Sequence, residues 1–146
     1  MLIKFNYYKP VVLLSLALVA TACSGTPDRP VQMSTLPECG WMPNCVNTQS
    51  DVSEEKSLPV KSNDEQWEKL KIWMSNQQNW EITINEKNFI QAVVKTPVMR
   101  FRDDIQLLYF PDKQLIHVRS SSRLGFSDMG VNANRIESLR KLVKNI

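Results

Sequence analysis

The side chains best suited to catalysis or polar binding are concentrated in residues 117–135. This segment reads HVRSSSRLGFSDMGVNANR and includes the only histidine of the chain, His117. A serine nucleophile needs a base within hydrogen-bond reach and a third group that orients the base. Ser120 or Ser122 could supply the nucleophile and His117 the base, with an aspartate from a neighbouring strand as the third group. No glycine pattern of a nucleophile elbow accompanies these residues, and a serine hydrolase is therefore not the preferred hypothesis.

Two adjacent carboxylates, Asp103 and Asp104, suggest general acid–base catalysis as another possibility. Neighbouring residues on a regular strand point to opposite faces of the sheet, so these two side chains would not share a substrate. A β-bulge between them would change that. The alternative to a binding or structural role is therefore a hydrolase-like enzyme that uses Asp103, Asp104, His117 and Arg119.

The arginines around this segment point to binding or bracing rather than to catalysis. Arg100 and Arg102 fall on one strand face, and Arg119 and Arg123 flank the serines. Guanidinium groups bind carboxylates or phosphates through two parallel hydrogen bonds. The preferred interpretation is a structural brace of ion pairs, and an anion- or glycan-binding cleft is the second. The predicted brace sets Arg119, Arg123 and Arg135 against Asp103, Asp104 and Asp128.

Glycines and short polar residues complete this cluster. Gly125 and Gly130 are expected in turns, and Ser127 and Asp128 are expected to cap a short helical turn. The sequence assigns no catalytic residue and no metal ligand, and no cofactor is expected. The candidate polar or anion-binding cluster comprises Arg100, Asp103, Asp104, His117, Arg119, Ser120, Ser122, Arg123, Ser127, Asp128, Asn132 and Arg135.

The first 22 residues have the pattern of a secretory signal peptide, with lysines but no acids, then a short apolar run, then small residues. The run VVLLSLALVA would rise about 15 Å as a helix, about half of what a bilayer core requires. The following Ala-Thr-Ala-Cys resembles a bacterial lipobox, in which the cysteine, here Cys23, becomes the lipid-modified first residue. Ordinary cleavage after Ala22, which leaves an unmodified thiol, is the alternative.

A lipid on Cys23 predicts a location in the cell envelope, because several acyl chains on one residue hold a protein firmly to a membrane. Ser24 rather than an aspartate follows, which by resemblance to Gram-negative lipoproteins implies the outer membrane, on its periplasmic side. Cleavage also removes Lys4 and Lys9 and leaves a formal charge of +1, so nucleic acid is not an expected partner. The expected partners are the membrane, through the lipid, and a protein or an anionic envelope component.

The other two cysteines, Cys39 and Cys45, bracket the sequence GWMPN. In an oxidising compartment such a pair predicts a disulfide, which here would staple a short loop. A redox-active pair would typically have two intervening residues, and a zinc site would need further ligands that one histidine cannot supply.

The chain divides into a leader, a tether and one small domain. Residues 1–22 form the predicted signal peptide, residues 23–38 the lipidated N-terminus and a flexible tether, and residues 39–146 the globular domain. Residues 46–63 are polar and are expected to be irregular. Apolar periodicity predicts an α+β fold, an antiparallel sheet of about four strands packed with two helices.

The individual elements follow from caps and alternation. The first helix is predicted at residues 64–76, after a capping-box pattern from Ser62 to Glu65, and the last helix is predicted to be capped by Asn132 or Asn134. The strands are predicted at residues 80–85, 89–94, 98–110 and 115–120.

Three segments together resemble the domain of unknown function 1499 family. They are CGWMPNCV at residues 39–46, FRDDIQLLYF at residues 101–110 and IHVRSSSRLGFSDMGVNANRIESLR at residues 116–140. The resemblance covers residues 39–146 and implies a fold without implying an activity. Together with the signal peptide, it predicts a non-enzymatic binding or structural lipoprotein of the cell envelope.

Overall fold

Six antiparallel strands and two helices make up the part of the chain that the computed structural model describes, residues 34–49 and 59–146. The predicted signal peptide, the predicted lipidation of Cys23 and most of the predicted tether lie outside the described residues. The strands are β1 (Cys45–Asn47), β2 (Val60–Lys61), β3 (Trp80–Asn85), β4 (Phe89–Lys95), β5 (Arg102–Phe110) and β6 (Leu115–Ser122), and the helices are α1 (Asp64–Ser75) and α2 (Val131–Asn145).

The strands form one sheet in the order β1–β6–β5–β4–β3, and β2 pairs with β6 alongside β1. β1 pairs near the C-terminal end of β6, with Asn47 opposite Arg119, and β2 pairs near the N-terminal end of β6. Between them, the N–H of Thr48 donates to the carbonyl of Val118 at 2.9 Å, and the Thr48 hydroxyl accepts from the N–H of Val118 at 2.8 Å. The outer edge of β6 is therefore hydrogen-bonded at both ends and between them.

The α+β class, the antiparallel sheet and the two helices are confirmed, whereas the predicted number of strands is too low. The four predicted strands correspond to β3, β4, β5 and β6. β1 and β2 overlap residues 46–63, which the sequence predicts to be irregular. They have three and two residues, too few for an alternation of apolar and polar side chains to be visible. Their extended conformation comes from pairing with β6, which no local pattern encodes.

The predicted strand at residues 98–110 is shorter in the structure, because β5 begins only at Arg102. The preceding residues form a turn closed by the N–H of Thr96, which donates to the carbonyl of Phe101 at 2.9 Å. Arg100 has a φ of 53° in this turn, in the left-handed region that non-glycine residues rarely adopt. Residues 98–101 therefore protrude from the end of the sheet.

α1 begins at Asp64, as predicted, but its capping box lies one residue later than the predicted pattern from Ser62 to Glu65. The side chain of Asn63 accepts from the N–H of Gln66 at 2.9 Å, and the side chain of Gln66 accepts from the N–H of Asn63 at 3.1 Å. Ser62 is not the cap, because its N–H donates to the carbonyl of Gln114 at 2.9 Å and so extends the pairing of β2.

Both helices pack on the same face of the sheet and enclose the core. Trp67 of α1 stacks on Tyr109 of β5, with 5.3 Å between ring centroids, and the Tyr109 hydroxyl donates to Asp64 at 2.6 Å. The helix start is thereby fastened to the sheet. The other core residues include Leu70, Met74, Ile90, Ala92, Ile105, Leu107, Ile116, Val118, Ile136, Leu139 and Val143.

The opposite face of the sheet carries a smaller apolar cluster and a row of buried amides. Leu36, which precedes β1 in the chain, packs against Phe89 and Leu108. Beside this cluster, the side chain of Gln106 donates to that of Gln91 at 2.8 Å. In the part of the chain that is described, no helix has the length and apolar character needed to cross a membrane.

Leu70→Ala is expected to lower the free energy of unfolding by about 2–5 kcal/mol, because it leaves a cavity in the core under α1. Leu70 is 1% exposed, whereas Ile72 in the same helix is 61% exposed. The matched control Ile72→Ala is therefore expected to change stability by no more than about 0.5 kcal/mol. Urea denaturation followed by tryptophan fluorescence measures both variants, and equal losses would contradict the packing of α1 on the sheet.

Candidate functional site

The two adjacent aspartates of β5 point to opposite faces of the sheet and are both buried. Asp103 is 2% exposed and Asp104 1% exposed. Their register with β6 is continuous, Asp103 opposite Ser122 and Asp104 opposite Ser121, so no bulge turns them to one side. The two carboxylates therefore act in separate environments and do not share a substrate.

On the helix side of the sheet, Asp103 belongs to a hydrogen-bonded network that ties α2 to the strands. Arg135 of α2 donates to Asp103 at 2.6 Å and, through its other terminal nitrogen, to the Ser120 hydroxyl at 2.8 Å. Ser120 in turn donates to the side chain of Asn132 at 2.7 Å. Ser120 and Asn132 are completely buried, so these groups have a structural role. We call this network of Asp103, Ser120, Asn132 and Arg135 the joint.

The same joint includes the loop that precedes β1. The side-chain amide of Asn132 donates to the carbonyl of Asn44 at 2.8 Å and to the hydroxyl of Ser122 at 3.2 Å. The side chain of Asn44 donates to the carbonyl of Gly125 at 2.8 Å. Asn44 is not among the predicted site residues; its one distinguishing feature in the sequence is its place between the two cysteines of the CGWMPNCV segment.

On the opposite face, Arg123 holds Asp104 through two parallel hydrogen bonds. Its Nε donates to one carboxylate oxygen at 2.8 Å and its Nη2 to the other at 2.7 Å. These bonds raise the pKa of Arg123 above its ordinary value. The geometry is the bidentate pairing that makes arginine a stronger partner for a carboxylate than lysine.

Arg119 does not form the ion pair predicted for it. One terminal nitrogen donates to the Ser121 hydroxyl at 2.8 Å, and its buried Nε has no hydrogen-bond partner among the described residues. Burial lowers the pKa of Arg119, and the charge of Asp104 opposes this shift only in part. Among the described residues no carboxylate pairs with Arg119, because Arg123 occupies both oxygens of Asp104.

Asp128 is also not an ion-pair partner; it caps α2. Its carboxylate accepts from the N–H of Gly130 at 3.1 Å and from the N–H of Asn132 at 2.7 Å. The residue before the helix is Gly130, with a φ of 81° that favours glycine. The predicted caps Asn132 and Asn134 are therefore wrong, because both lie inside the first turn of the helix, and the predicted short helical turn is the start of α2 itself.

Three other members of the predicted cluster lie outside this joint. Ser127 is exposed, and its hydroxyl accepts from the N–H of Met129 at 3.3 Å. Arg100 is exposed in the turn before β5. His117 is half-buried on the face opposite to Ser120 and Ser122, since residues at odd and even positions of a strand face opposite sides.

The ring of His117 is fixed by contacts with Thr48 and Phe110. Its Nδ1 lies 3.3 Å from the Thr48 hydroxyl and 3.2 Å from the Thr48 carbonyl, and its ring meets Phe110 edge-on at 5.4 Å. Burial lowers its pKa, a nearby Thr48 carbonyl opposes that shift, and the charge of Lys113 adds to it. The serine–histidine–aspartate arrangement is not assembled, because the serines lie on the other face.

The predicted disulfide between Cys39 and Cys45 is confirmed, with 5.6 Å between the Cα atoms. It closes the loop that presents Asn44 to the buried joint and Trp41 to solvent. The loop thus has one buried polar side and one exposed apolar side.

Three loops meet at the end of the sheet above this joint; we call them the tip, residues 39–44, 96–101 and 124–131. The rings of Trp41 and Phe126 lie 5.7 Å apart, and a cavity of about 300 Å³ separates the second loop from the third. The tip carries many exposed large apolar side chains: Trp41, Val98, Met99, Phe101, Leu124, Phe126, Met129 and Val131.

A larger groove of about 770 Å³ lies at the opposite end of the sheet, between β2, the β5–β6 turn and the two helices. It contains none of the predicted cluster. In residues 34–49 and 59–146, no group of three or more histidines, cysteines or acids is arranged to hold a metal ion. The basic side chains that line the groove are Lys61, Lys113, Arg140 and Lys144.

Asp104→Ala is expected to lower the free energy of unfolding by about 3–5 kcal/mol, because it leaves the Arg123 guanidinium without its carboxylate in a largely buried position. The matched control is Glu65→Ala, which breaks an exposed ion pair with Lys69 on α1 and is expected to leave the urea midpoint unchanged. Adding Arg123→Ala to the Asp104 variant is expected to recover part of the loss. Strictly additive losses would contradict a coupled pair.

Residues 35–143 match the family model described as protein of unknown function (DUF1499). The match spans all six strands and nearly all of α2, well over half of the chain. No curated protein matches the chain. The three segments that carry the resemblance in the sequence coincide with the disulfide loop, with β5, and with β6 together with the start of α2. The chain therefore belongs to the DUF1499 family.

Proposed function

We propose that the protein is a lipid-anchored, non-enzymatic module of the cell envelope that binds a partner through the tip. The observation that carries this proposal is the group of apolar side chains on the tip, which the described chain leaves exposed. Contiguous exposed apolar side chains on a small domain typically mark a surface that meets another molecule. The polar joint beneath the tip supports the same interpretation, because Asn44 and Asn132 connect the first loop of the tip to the third.

A hydrolase-like enzyme has less support from the geometry. It would have to use Asp103, Asp104, His117 and Arg119 together, yet Asp103 lies on the face opposite to the other three. Both carboxylates are engaged by arginines at 2.6–2.8 Å. A general base needs to be free to take a proton from a substrate, so neither carboxylate is poised for that role.

The N-terminal sequence supports the proposed location. The leader at residues 1–22 and the lipobox-like sequence before Cys23 favour an acylated protein of the outer membrane that faces the periplasm. The disulfide between Cys39 and Cys45 is typical of proteins in oxidising compartments. A protein or an anionic envelope component is the class of partner that suits this location.

Acylation of Cys23 is tested by metabolic labelling. Wild-type protein is expected to incorporate labelled palmitate, and Cys23→Ala is expected to lose the label completely, because no other site carries the lipid. The double variant Cys39→Ala/Cys45→Ala is the matched control and is expected to keep the label. Absence of label from the wild-type protein would refute the anchor.

Binding and catalysis are distinguished by complementation of a strain that lacks the gene, scored by sensitivity to detergents and antibiotics. His117→Gln keeps the size of the side chain but removes its titration, and it is expected to complement as well as wild type. The triple variant Trp41→Ser/Phe126→Ser/Met129→Ser is expected to fail, although its sites are exposed and its thermal unfolding should be unchanged. The opposite result would favour the enzyme.

A further inference from the structure

The geometry points to an anionic lipid bilayer as the partner of the tip, an inference that deepens the proposed binding function and rests on it. On this view the tip inserts its apolar side chains among the headgroups of the leaflet that carries the protein. Four properties support this inference: the exposure of the tip, its charge, its rigid support and the reach of the chain between the proposed lipid and the domain.

Several apolar side chains of the tip are almost fully exposed to water. Met129 is 94% exposed, Val98 88% and Trp41 82%. Met129 also has a φ of 52°, a conformation that non-glycine residues rarely adopt, and it nevertheless points an apolar side chain into solvent. Three loops that each carry exposed aromatic or aliphatic side chains suit insertion into an interface, where such side chains lie at headgroup level.

The charge of the tip complements an anionic surface. Arg100 lies within the tip and is exposed, and two exposed charges lie directly beside the tip, Arg102 and Glu38, so that the arginines outnumber this acid. The only acid in the tip sequence is Asp128, and its carboxylate is engaged by N–H groups at the start of α2. Arginines beside apolar side chains can keep their guanidinium groups in the headgroup layer while their stems lie against the hydrocarbon.

The loops of the tip are fixed by a disulfide and by hydrogen bonds, so their conformation would not have to change on binding. The first loop is closed by the disulfide and joined to the third by Asn44, whose side chain donates to the carbonyl of Gly125 at 2.8 Å. The second loop is closed by Thr96 and Phe101. A rigid surface loses little conformational entropy on binding.

The chain before the domain is long enough for the tip to reach the membrane. Ten residues lie between Cys23 and Ser34, and the eleven residue-to-residue steps of a fully extended chain span at most about 36–40 Å. Leu36 packs against Leu108, six residues along β5 from Arg102 at the tip end, which is about 20 Å in a strand. A lipid on Cys23 and the tip can therefore occupy the same leaflet.

The test uses the purified acylated protein in vesicles of phosphatidylethanolamine and phosphatidylglycerol. A spin label at Met129→Cys is compared with a label at Asp112→Cys, which lies in the turn at the other end of the sheet. The label at 129 is expected to be reached by oxygen in the lipid and shielded from a water-soluble nickel chelate. The label at 112 is expected to remain accessible to the chelate.

The charge contribution is measured with the same label at 129. Arg100→Gln and Arg102→Gln are each expected to lower the ratio of inserted to free label about fivefold, the effect typical of one basic side chain near an anionic leaflet. Lys144→Gln, at the far end of α2, is the matched control and is expected to leave the ratio unchanged. Phosphatidylcholine vesicles are expected to lower insertion for every variant.

Equal exposure of both labels to the chelate on anionic vesicles would overturn the inference. If the label at 129 stays in water while the tip variants still fail to complement, the partner is a protein and the bilayer is excluded. If the purified protein carries no acyl chains, the proposed anchor fails separately, and the labels measured with vesicles in excess still decide whether the tip inserts.

Discussion

Two neighbouring carboxylates buried on opposite faces of one strand are the constraint on which the rest of this structure depends. An isolated buried charge is costly, so Asp103 and Asp104 each require a cation brought from elsewhere in the chain. Arg135 reaches Asp103 from α2, and Arg123 reaches Asp104 from the loop after β6. The first pair requires α2 to be packed against β5, and the second requires β6 to be paired with β5. The two ion pairs therefore clamp one end of the sheet from both sides.

This clamp explains why residues that look catalytic in the sequence have structural roles. Ser120, Asn132 and Arg135 saturate one another around Asp103, and Asp128 serves the start of α2. A buried network of this kind favours a single arrangement because every alternative leaves polar groups unsatisfied. The chemistry that remains available at this end of the domain is apolar. It lies on the loops that the clamp supports, and this is why the proposed function is binding.

The two ends of the domain differ in character, and the difference gives the domain an orientation. The tip combines exposed apolar side chains with exposed arginines, whereas the opposite end carries an open groove lined by basic and neutral polar side chains. Leu36 packs on Phe89 and Leu108, nearer to the end of the sheet opposite to the tip. The chain between the proposed lipid on Cys23 and Leu36 is long enough for either end of the domain to approach a membrane. The apolar end is the one whose exposure to water is least favourable.

Periodicity and local spacing determine a large part of this protein. Apolar periodicity identifies β3 to β6 and both helices, although the predicted caps of both helices are misplaced, and the alternation of strand side chains already separates Asp103 from Asp104. The disulfide follows from Cys39 and Cys45 being the two cysteines that remain once Cys23 is assigned to the predicted lipid. Tertiary structure alone decides the rest, because the interactions concerned join residues far apart in the chain. β1 and β2 exist only through pairing with β6, and the tip arises where three distant loops meet. Arg119 pairs with no carboxylate of the described residues, because Arg123 occupies both oxygens of Asp104.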